Sequence, residues 1–393
     1  MKICAVIAEF NPFHNGHKYL MNEIRKRGFT HIVVVMSGNF VQRGEPAIIS
    51  KRLRAETALL NGADVVLEMP VVWALTSAEK YALTGVEIAG GLGCVDALAF
   101  GSECGEISPL RDTAKILESD EFSYCLKENL STGITFAKAR EMAVNSISKD
   151  KNFSEYLCNP NNILGVEYIR AINKLGFNIE PITIKRLRGD IANLYRSASE
   201  IRKMIKISDN EFRKYVPISS YEIIPKDFPK REALHFMECA SQSIIYKLRT
   251  MTVNDILKLS DISEGLENRI VKAAKKSICV DDFLFSVKTK RYTMSRIKRI
   301  LMCNFLGISK EIQDISVPYI RVLGMNAKGH EILRTAKKTA SLPIVYNYSG
   351  VKKLSEKSKE VFKIECMASD LYSLFSHEIN SCGDEESFKI LTL

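Results

Sequence analysis

The segment that most constrains this chain is an apolar run followed at once by a polar turn. Ile3–Ile7 predicts a buried strand, and Ala8–Lys18 continues it as Ala-Glu-Phe-Asn-Pro-Phe-His-Asn-Gly-His-Lys. This order predicts a strand, a tight turn and the start of a helix. His14 and His17 are three residues apart and would share one helix face, while Gly16 lets a ligand approach the backbone. Imidazoles beside helix N–H groups suit nucleotide phosphates.

This turn differs from two common phosphate-binding loops. No Gly-Lys-Ser/Thr follows it, which excludes a Walker loop, and it does not match the GxGxxG fingerprint. It resembles the His-x-Gly-His signature of the nucleotidylyltransferase superfamily, the relatives of class I aminoacyl-tRNA synthetases. The alternative is a pair of ordinary surface histidines. The strand, the Pro-Phe pair, the glycine and the helix in register favour the nucleotide site.

The composition is that of a globular protein with a surplus of positive charge. The 393 residues suffice for two or three domains with substantial cores. No apolar run approaches the roughly 20 residues of a membrane span, so we expect no membrane partner. The net charge of +10 and the pI near 9.0 favour a polyanionic partner.

The first residues and the cysteines indicate a cytoplasmic protein. Met1-Lys-Ile-Cys runs directly into the first strand, so we expect no secretory signal peptide. The ten cysteines include no Cys-x-x-Cys pair, and Cys94 and Cys104 are too isolated for a zinc site. We therefore expect reduced, buried thiols and no protein-bound metal.

Alternating strands and helices in the first half predict an α/β fold. Helical crossovers imply a Rossmann-like parallel sheet, in which ligands bind at the carboxyl ends of the strands. We expect this nucleotide-binding catalytic domain to occupy residues 1–210. The predicted strands are Ile3–Ala8, His31–Met36, Val65–Glu68, Ala97–Phe100 and Asn178–Ile184, and the predicted helices are His17–Arg27, Lys51–Asn61 and Ser77–Gly90.

The second half, residues 211–393, has a different character. Apolar residues recur at helical spacing with lysine and arginine on the polar faces, which predicts a mainly helical, basic region. The predicted helices are Glu232–Thr250, Val253–Leu259, Leu266–Lys276 and Met294–Phe305, and short strands are predicted at Pro318–Leu323 and Leu342–Asn347.

Polar residues that follow the strands are further candidates for a ligand site. Gln42 and Arg43 come after the second strand, and Ser50 is predicted to cap a helix that begins with Lys51. These residues either form an ordinary loop or meet a polar substrate or phosphate, and we favour the second interpretation. Gly101 ends another strand, where it forms a turn or admits a ligand to the backbone.

Two later segments are also candidates. Asn161 and Asn162 open a helix, where asparagine is equally suited to capping the chain and to binding a nucleotide. Ser197, Ser199 and Arg202 belong to Ser-Ala-Ser-Glu-Ile-Arg, which predicts a helix N-terminus. Capping alone explains the serines, whereas free N–H groups beside an arginine also suit a triphosphate. Paired with His-x-Gly-His, this segment resembles the second phosphate-binding motif of the superfamily.

A run of positive charge occupies residues 288–299, which read Lys-Thr-Lys-Arg-Tyr-Thr-Met-Ser-Arg-Ile-Lys-Arg. A solvated helix face is the default explanation of such a run. The segment contains no acidic residue to balance it, which favours contacts with a nucleic-acid backbone. Tyr292 is available for stacking on a base, and the candidate phosphate contacts are Lys288, Lys290, Arg291, Arg296, Lys298 and Arg299.

Seven segments, in order along the chain, are together similar to one family, the bacterial tRNA(Met) cytidine acetate ligases. They are AEFNPFHNGH, VVVMSGNFVQRGEPA, AFGSE, NPNNILG, SASEIRK, KTKRYTMSRIKRI and PYIRVLGM. The resemblance implies an ATP-dependent ligase that converts acetate and ATP to acetyl-adenylate and pyrophosphate. It further implies acetylation of N4 of the wobble cytidine of elongator tRNA(Met), which forms N4-acetylcytidine and AMP.

The resemblance also implies roles for individual residues. His14 and His17 would be catalytic, stabilising charge on the α-phosphate and on the departing pyrophosphate, with Mg²⁺ assisting. The chain has Arg188-Gly-Asp-Ile-Ala-Asn-Leu-Tyr where a Tyr-His-Asp-like segment is expected, so Arg188 is an alternative to Arg186. The implied ATP contacts are Ile7, Ala8, Glu9, Phe10, Asn11, Pro12, Phe13, His14, Asn15, Gly16, His17, Lys18, Tyr19, Leu20, Gly101, Asn161, Arg186 and Leu187.

Two other functions fit parts of the sequence. A small-molecule nucleotidylyltransferase would share the histidine and serine motifs, but it has little use for a basic helical half. A non-catalytic RNA-binding protein with a relic nucleotide fold would not need both phosphate motifs intact. The acetate ligase accounts for all these features, and we expect that function.

Overall fold

The computed structural model of the chain describes residues 1–148, 153–187, 194–224, 234–263 and 265–393. Within these ranges the β-structure comprises long central strands and several short pairs. The strands are β1 (Ile3–Ala8), β2 (His31–Ser37), β3 (Phe40–Val41), β4 (Glu45–Pro46), β5 (Val65–Met69), β6 (Ala97–Ser102), β7 (Glu180–Lys185), β8 (Ile320–Met325), β9 (Ile344–Val345) and β10 (Leu391–Thr392).

Helices connect and cover these strands. In chain order they are α1 (Asn15–Lys26), α2 (Lys51–Leu60), α3 (Val71–Ala74), α4 (Ala78–Gly90), α5 (Ile107–Glu118), α6 (Asp120–Ser131), α7 (Phe136–Ile147), α8 (Phe153–Tyr156), α9 (Pro160–Leu175), α10 (Ala198–Lys206), α11 (Ile218–Ile223), α12 (Ser241–Arg249), α13 (Val253–Leu257), α14 (Leu266–Lys276), α15 (Val280–Val287), α16 (Met294–Phe305), α17 (Lys310–Gln313), α18 (Ala327–Thr339), α19 (Tyr348–Val351), α20 (Glu356–Tyr372) and α21 (Asp384–Ser387), with 3-10 turns at Asn210–Tyr215 and Ser373–Phe375.

The central sheet is mixed and mostly parallel. Among the described residues its strand order is β10-β8-β5-β2-β1-β6-β7, with β9 beside β8. The five strands predicted from the first half, β1, β2, β5, β6 and β7, are all present and parallel to one another, as expected. Strand β8 departs from the expected parallel arrangement, because it lies antiparallel to β5.

Alternation along the strands builds a hydrophobic core on each face of the sheet. In β1, Ile3, Ala5 and Ile7 belong to one core, and Cys4 and Val6 belong to the other. Strand β2 divides in the same way, and all seven of its residues are buried. Burial on both faces explains why these strands read as continuous apolar runs.

The helical predictions for the second half are largely confirmed. Helices α14 and α16 have the predicted bounds, and α13 is two residues shorter than predicted. The predicted helix at Glu232–Thr250 is too long, because within its described part α12 begins only at Ser241. Its first two residues lie outside the described residues.

The sheet extends into the second half of the chain. Strand β8 replaces the predicted strand at Pro318–Leu323, β9 lies within the predicted Leu342–Asn347, and β10 pairs with β8 near the C-terminus. A boundary at residue 210 therefore does not separate the sheet from the rest of the chain. The assignment of residues 211–393 to tRNA binding stays a prediction.

Two sequence expectations concern the whole chain. None of the helices described here is both long and apolar enough to cross a membrane. The ten cysteines form no disulfide bond among the described residues, but the expectation that they are buried is wrong for several of them. Cys158, Cys279 and Cys382 are exposed, whereas Cys4 and Cys303 are buried.

Candidate active site

A cleft of about 620 Å³ lies at the carboxyl ends of β1, β6 and β7. This is the edge at which parallel α/β sheets bind their ligands. The wall combines the turn after β1, the ends of β6 and β7, and the start of α10. Its lining residues are Glu9, His14, Gly16, His17, Tyr19, Leu20, Arg43, Gly101, Glu103, Pro160, Asn161, Ile184, Lys185, Arg186, Leu187, Tyr195, Arg196, Ser197, Ala198, Ser199, Glu200 and Arg202.

The two histidines form a stacked pair at the start of α1. His14 is the N-cap of the helix, and its Nδ1 accepts a hydrogen bond from the Gly16 N–H at 3.1 Å. The His14 N–H in turn donates to Nδ1 of His17 at 3.2 Å. The rings lie 3.6 Å apart between centroids, 21° from parallel. They therefore share one face as predicted, although His14 precedes the first helical turn.

Both imidazoles are neutral at physiological pH. Burial, with the nearby Arg186 and Arg202 charges, lowers the pKa of His14 to about 3. Burial also lowers the pKa of His17 well below its usual value, and His14 and Arg186 add to this effect. Since Nδ1 is an acceptor in each ring, the single proton lies on Nε2. Among the described residues no protein group accepts from either Nε2, so both N–H groups are available to a ligand.

Gly16 is required by the histidine cap itself. A Cβ atom at this position would lie 2.9 Å from Cε1 and 3.0 Å from Nδ1 of His14. The sequence interpretation assigned Gly16 to the close approach of a ligand, but the structure gives this local reason. Phe10 and Phe13 are buried beside the pair, with ring centroids 4.8 Å and 5.4 Å from that of His17.

The facing wall is held by amide and carboxylate hydrogen bonds. The Asn161 amide donates to Glu103 at 2.6 Å and accepts from Arg186 at 3.4 Å. Asn162 has a different role, because it is buried and its side-chain oxygen accepts from the backbone N–H groups of Glu103 and Cys104. Residue chemistry alone left these two asparagines equivalent, whereas the family resemblance implied Asn161, and among the two the cleft is lined by Asn161.

Helix α10 closes the cleft with its N-terminus. Ser197 is the N-cap, in a capping box with Glu200, and Ser199 lies in the first turn. Arg202 donates to the backbone oxygen of Asn11 at 2.8 Å, which fixes the second motif against the first. The helix N-terminus and this guanidinium together favour an anionic ligand.

The sequence of this chain is similar to that of a known enzyme family. Residues 1–386 match the family model of the HIGH Nucleotidyl Transferase. The tRNA(Met) cytidine acetate ligase of Thermoanaerobacter sp. (strain X514) is 42% identical over 392 residues, which cover 95% of each chain. The enzyme of the same name from Acetivibrio thermocellus is 38% identical over 392 residues, covering 95% of this chain and 94% of its own. The chain belongs to this ligase family.

A solved structure agrees with that assignment. The crystal structure of Thermotoga maritima TmcAL bound with alpha-thio ATP superposes with a TM-score of 0.94 at 35% identity, covering 100% of both chains. The α/β fold expected from the sequence and the resemblance to tRNA(Met) cytidine acetate ligases are both confirmed. The chain is thus a ligase with a nucleotide-binding fold of the HIGH family.

The structure divides the residues that the ligase family resemblance implied for ATP. The side chains or backbone of ten line the cleft, namely Glu9, His14, Gly16, His17, Tyr19, Leu20, Gly101, Asn161, Arg186 and Leu187. The remaining eight are not among the residues that line it, namely Ile7, Ala8, Phe10, Asn11, Pro12, Phe13, Asn15 and Lys18. Arg188, the alternative to Arg186, lies outside the described residues.

Asn15 connects the histidine motif to two segments that are distant in sequence. Its side-chain amide donates to the backbone oxygens of Leu194 and Lys214, at 3.0 and 2.9 Å. The Tyr19 ring meets the Tyr195 ring edge-on, with centroids 6.3 Å apart. Tyr195 and Arg196 were missed by sequence reasoning. Their position directly before the serine motif was the available signal.

Two residues of the loop after β2 are not in this cleft. Lys51 is buried and pairs with Glu68 at 2.6 Å and with Glu365 at 3.1 Å, so its interpretation as a substrate contact is wrong. Gln42 donates from its side chain to the Thr76 backbone oxygen. Arg43 does line the cleft, and Ser50 caps α2 as predicted.

The basic segment also divides into two groups. Lys288, Lys290 and Arg291 are exposed. The other three are engaged by acidic residues or by backbone, since Lys298 pairs with Glu45, Arg299 pairs with Asp261, and Arg296 donates to the Asp261 backbone oxygen. The segment lacks acidic residues in sequence, but the fold supplies two. Tyr292 is buried, which gives its ring a core position.

Proposed function

We propose that this chain is an ATP-dependent tRNA(Met) cytidine acetate ligase acting in the cytoplasm. The supporting observation is the cleft in which the neutral histidine pair and the N-terminus of α10 face one space. Five basic and three acidic residues line that cleft, which favours a polyphosphate. The relatives' names supply acetate and tRNA(Met) as the substrates.

In the first half-reaction, an acetate oxygen attacks the α-phosphorus of ATP. A bond forms between that oxygen and phosphorus, the bond from phosphorus to the bridging oxygen breaks, and pyrophosphate leaves with the electron pair. The Nε2–H groups of His14 and His17 donate to the phosphate oxygens on which negative charge grows. Arg186 and Arg202 add positive charge in a buried setting, where preorganised donors contribute most.

The residues present fit a magnesium ion that enters with ATP. Among the described residues no group of three His, Cys, Asp or Glu side chains forms a metal site by itself, and Mg²⁺ is commonly held by one or two carboxylates together with substrate phosphates. Glu9, which lines the cleft, would supply the carboxylate. The Gln42 backbone N–H donates to its Oε1 at 3.0 Å and so holds the carboxylate in position. The ion, when bound, neutralises phosphate charge.

In the second half-reaction, N4 of the wobble cytidine attacks the acetyl carbonyl carbon. The new N–C bond replaces the bond from that carbon to the AMP oxygen, AMP leaves as the phosphate anion, and N4 loses one proton. The exposure of Lys288, Lys290 and Arg291 supports our assignment of these residues to tRNA phosphates.

The decisive experiment follows label from acetate into RNA. The enzyme is incubated with ATP, labelled acetate and a transcript of elongator tRNA(Met), and the digested nucleosides are analysed by mass spectrometry. We expect labelled N4-acetylcytidine at the wobble position. A nucleotide-linked small product without labelled RNA would support a small-molecule nucleotidylyltransferase, and absence of any ATP turnover would support a non-catalytic RNA-binding protein.

A further inference from the structure

The hairpin β3–β4 lies against both the ATP cleft and the basic helix. On one side Arg43 lines the cleft. On the other, the turn residue Gly44 has φ +77°, and a Cβ atom here would meet the Arg299 N–H nitrogen and lie 2.5 Å from the Lys298 carbonyl carbon. The turn therefore packs directly on the backbone of α16, with no room for a side chain.

Glu45 of this hairpin is shared between two cations from distant parts of the chain. Its Oε1 pairs with Nζ of Lys298 in α16. Its Oε2 lies 3.7 Å from an Nη atom of Arg202 in α10. The three side chains are only 17–26% exposed, so solvent screens these pairs less than it screens surface pairs. The Glu45 carboxylate thus links Arg202, a candidate triphosphate contact, to Lys298, a candidate tRNA contact.

We propose that Glu45 is a positioning residue that makes ATP and tRNA bind anticooperatively, so that tRNA binds tightly only after pyrophosphate has left. The inference rests on the proposed function, from which it takes Arg202 as a phosphate ligand. It adds Lys298, a candidate tRNA contact in the sequence that is paired with Glu45 in the free protein, as a tRNA ligand that exchanges this carboxylate for RNA. It assigns to Glu45 a role in the order of the two half-reactions.

The sign of the coupling follows from competition for one anion. When ATP alone is bound, Arg202 turns to the phosphates and Glu45 keeps Lys298. When tRNA alone is bound, Lys298 turns to the RNA and Glu45 keeps Arg202. When both are bound, Glu45 loses both cations and faces two phosphate groups, which costs free energy. Each ligand therefore weakens the other by the same factor.

The consequence is an ordered reaction. Departure of pyrophosphate removes the negative charge that competes for Arg202, which returns to Glu45 and releases Lys298 to the tRNA. The tRNA then meets a cleft that already holds acetyl-adenylate.

The test measures tRNA affinity by filter binding at about 0.15 M salt, where long-range repulsion between ATP and tRNA is largely screened. The probes are an elongator tRNA(Met) transcript and a non-hydrolysable ATP analogue with a methylene group between its α- and β-phosphorus atoms. We expect the saturating analogue to raise the tRNA Kd about fivefold, and AMP, which lacks the outer phosphates, to leave it unchanged. In Glu45→Gln the analogue should have no effect.

Two variants serve as controls. Lys298→Met removes one of the two competing cations, so it should weaken tRNA binding and abolish the effect of the analogue. Glu356→Gln neutralises a carboxylate that pairs with Lys359 on its own helix α20, and it should keep the fivefold effect.

Three results would overturn the proposal: no effect of the analogue on the wild-type enzyme, an equal effect in Glu45→Gln, or an equal effect of AMP. Failure of the proposed function is distinguishable from these. It would appear as absence of tRNA binding and of acetate-dependent ATP–pyrophosphate exchange in the wild-type enzyme.

Discussion

Two regions of this molecule bring cations and carboxylates together, with opposite outcomes. In the first, Lys51 and Arg321 pair with Glu68, Glu365 and Glu385, and all five side chains are almost completely buried. In the second, the ATP cleft, cations outnumber carboxylates and open space remains beside them. Each charged group of the buried cluster has an ion-pair partner within the cluster, whereas the cleft has an excess of positive charge that can bind an anionic ligand.

The two environments show that a basic residue after a core strand can have either a structural role or a ligand-binding role. Lys51 and Arg43 lie eight residues apart between β2 and α2, yet Lys51 is buried and paired with carboxylates of α20 and α21, whereas Arg43 faces the cleft. The pairing of Lys51 with Glu365 joins residues 314 positions apart. A buried charge must be paired, because its desolvation is otherwise too costly. A charged side chain in an open cleft stays hydrated, so it needs no partner within the protein and remains available to bind phosphate.

The largest expected effect is on the buried cluster. Lys51→Met leaves three carboxylates with Arg321 alone, and breaking a buried ionic network in this way costs about 3–5 kcal/mol. The free energy of unfolding, measured by chemical denaturation, should fall by that amount. Lys359→Met, which breaks an exposed pair on α20, should leave the unfolding midpoint unchanged. Equal stability of the two variants would show that the buried cluster does not stabilise the fold.

The cleft should respond in activity rather than in stability. His14→Ala or His17→Ala removes one preorganised N–H donor, so acetate-dependent ATP–pyrophosphate exchange should fall about 10²–10³-fold. Only a small loss of stability is expected beside this loss of exchange. For His14→Ala, which removes the N-cap of α1, the free energy of unfolding should fall by about 1 kcal/mol, less than for Lys51→Met. Near-normal exchange in both variants would contradict the role of the pair.

The same distinction applies within the basic segment. Neutralising the exposed Lys288, Lys290 and Arg291 should reduce the log–log salt slope of tRNA binding by about 0.7–0.9 per lost contact. Neutralising Arg299, which is paired with Asp261 at 3.1 Å, should leave that slope unchanged. Exchange activity should survive in both variants. Equal salt slopes for the two variants would contradict the prediction that the exposed residues contact tRNA and the paired arginine does not.

The smallest expected effect is the change in protonation of the histidine pair between pH 8 and 5. The pKa of His14 is about 3 in the folded protein and near 6.5 when unfolded. Below pH 6.5 the unfolded chain therefore binds a proton that the folded chain does not, so stability falls as the pH is lowered toward 3. Imidazole NMR signals, assigned with His14→Gln, should show neutral rings from pH 8 to 5. A titration of either ring near 6.5 would contradict the buried, neutral pair.

Local features of this fold were predictable from short stretches of sequence. The five strands of the first half, the turn with its histidines and the bounds of α14 and α16 depend on alternation, helical periodicity and capping among neighbours. The cleft was predictable to the extent that its residues follow strand ends. Residue chemistry alone did not show which of Asn161 and Asn162 faces the cleft, because adjacent residues with the same side chain differ only in the direction that the completed helix gives them. The family resemblance had implied Asn161.

The sequence by itself determined the strand–turn–helix site, its two phosphate motifs and the family, because each depends on residues close together in the chain. Only the tertiary structure decided which charges are satisfied. Glu45 meets Lys298 across 253 positions, Asp261 meets Arg296 and Arg299, and strand β8 inserts antiparallel beside β5. Coulombic and hydrogen-bond partners are set by distance in space, which no local pattern of residues encodes.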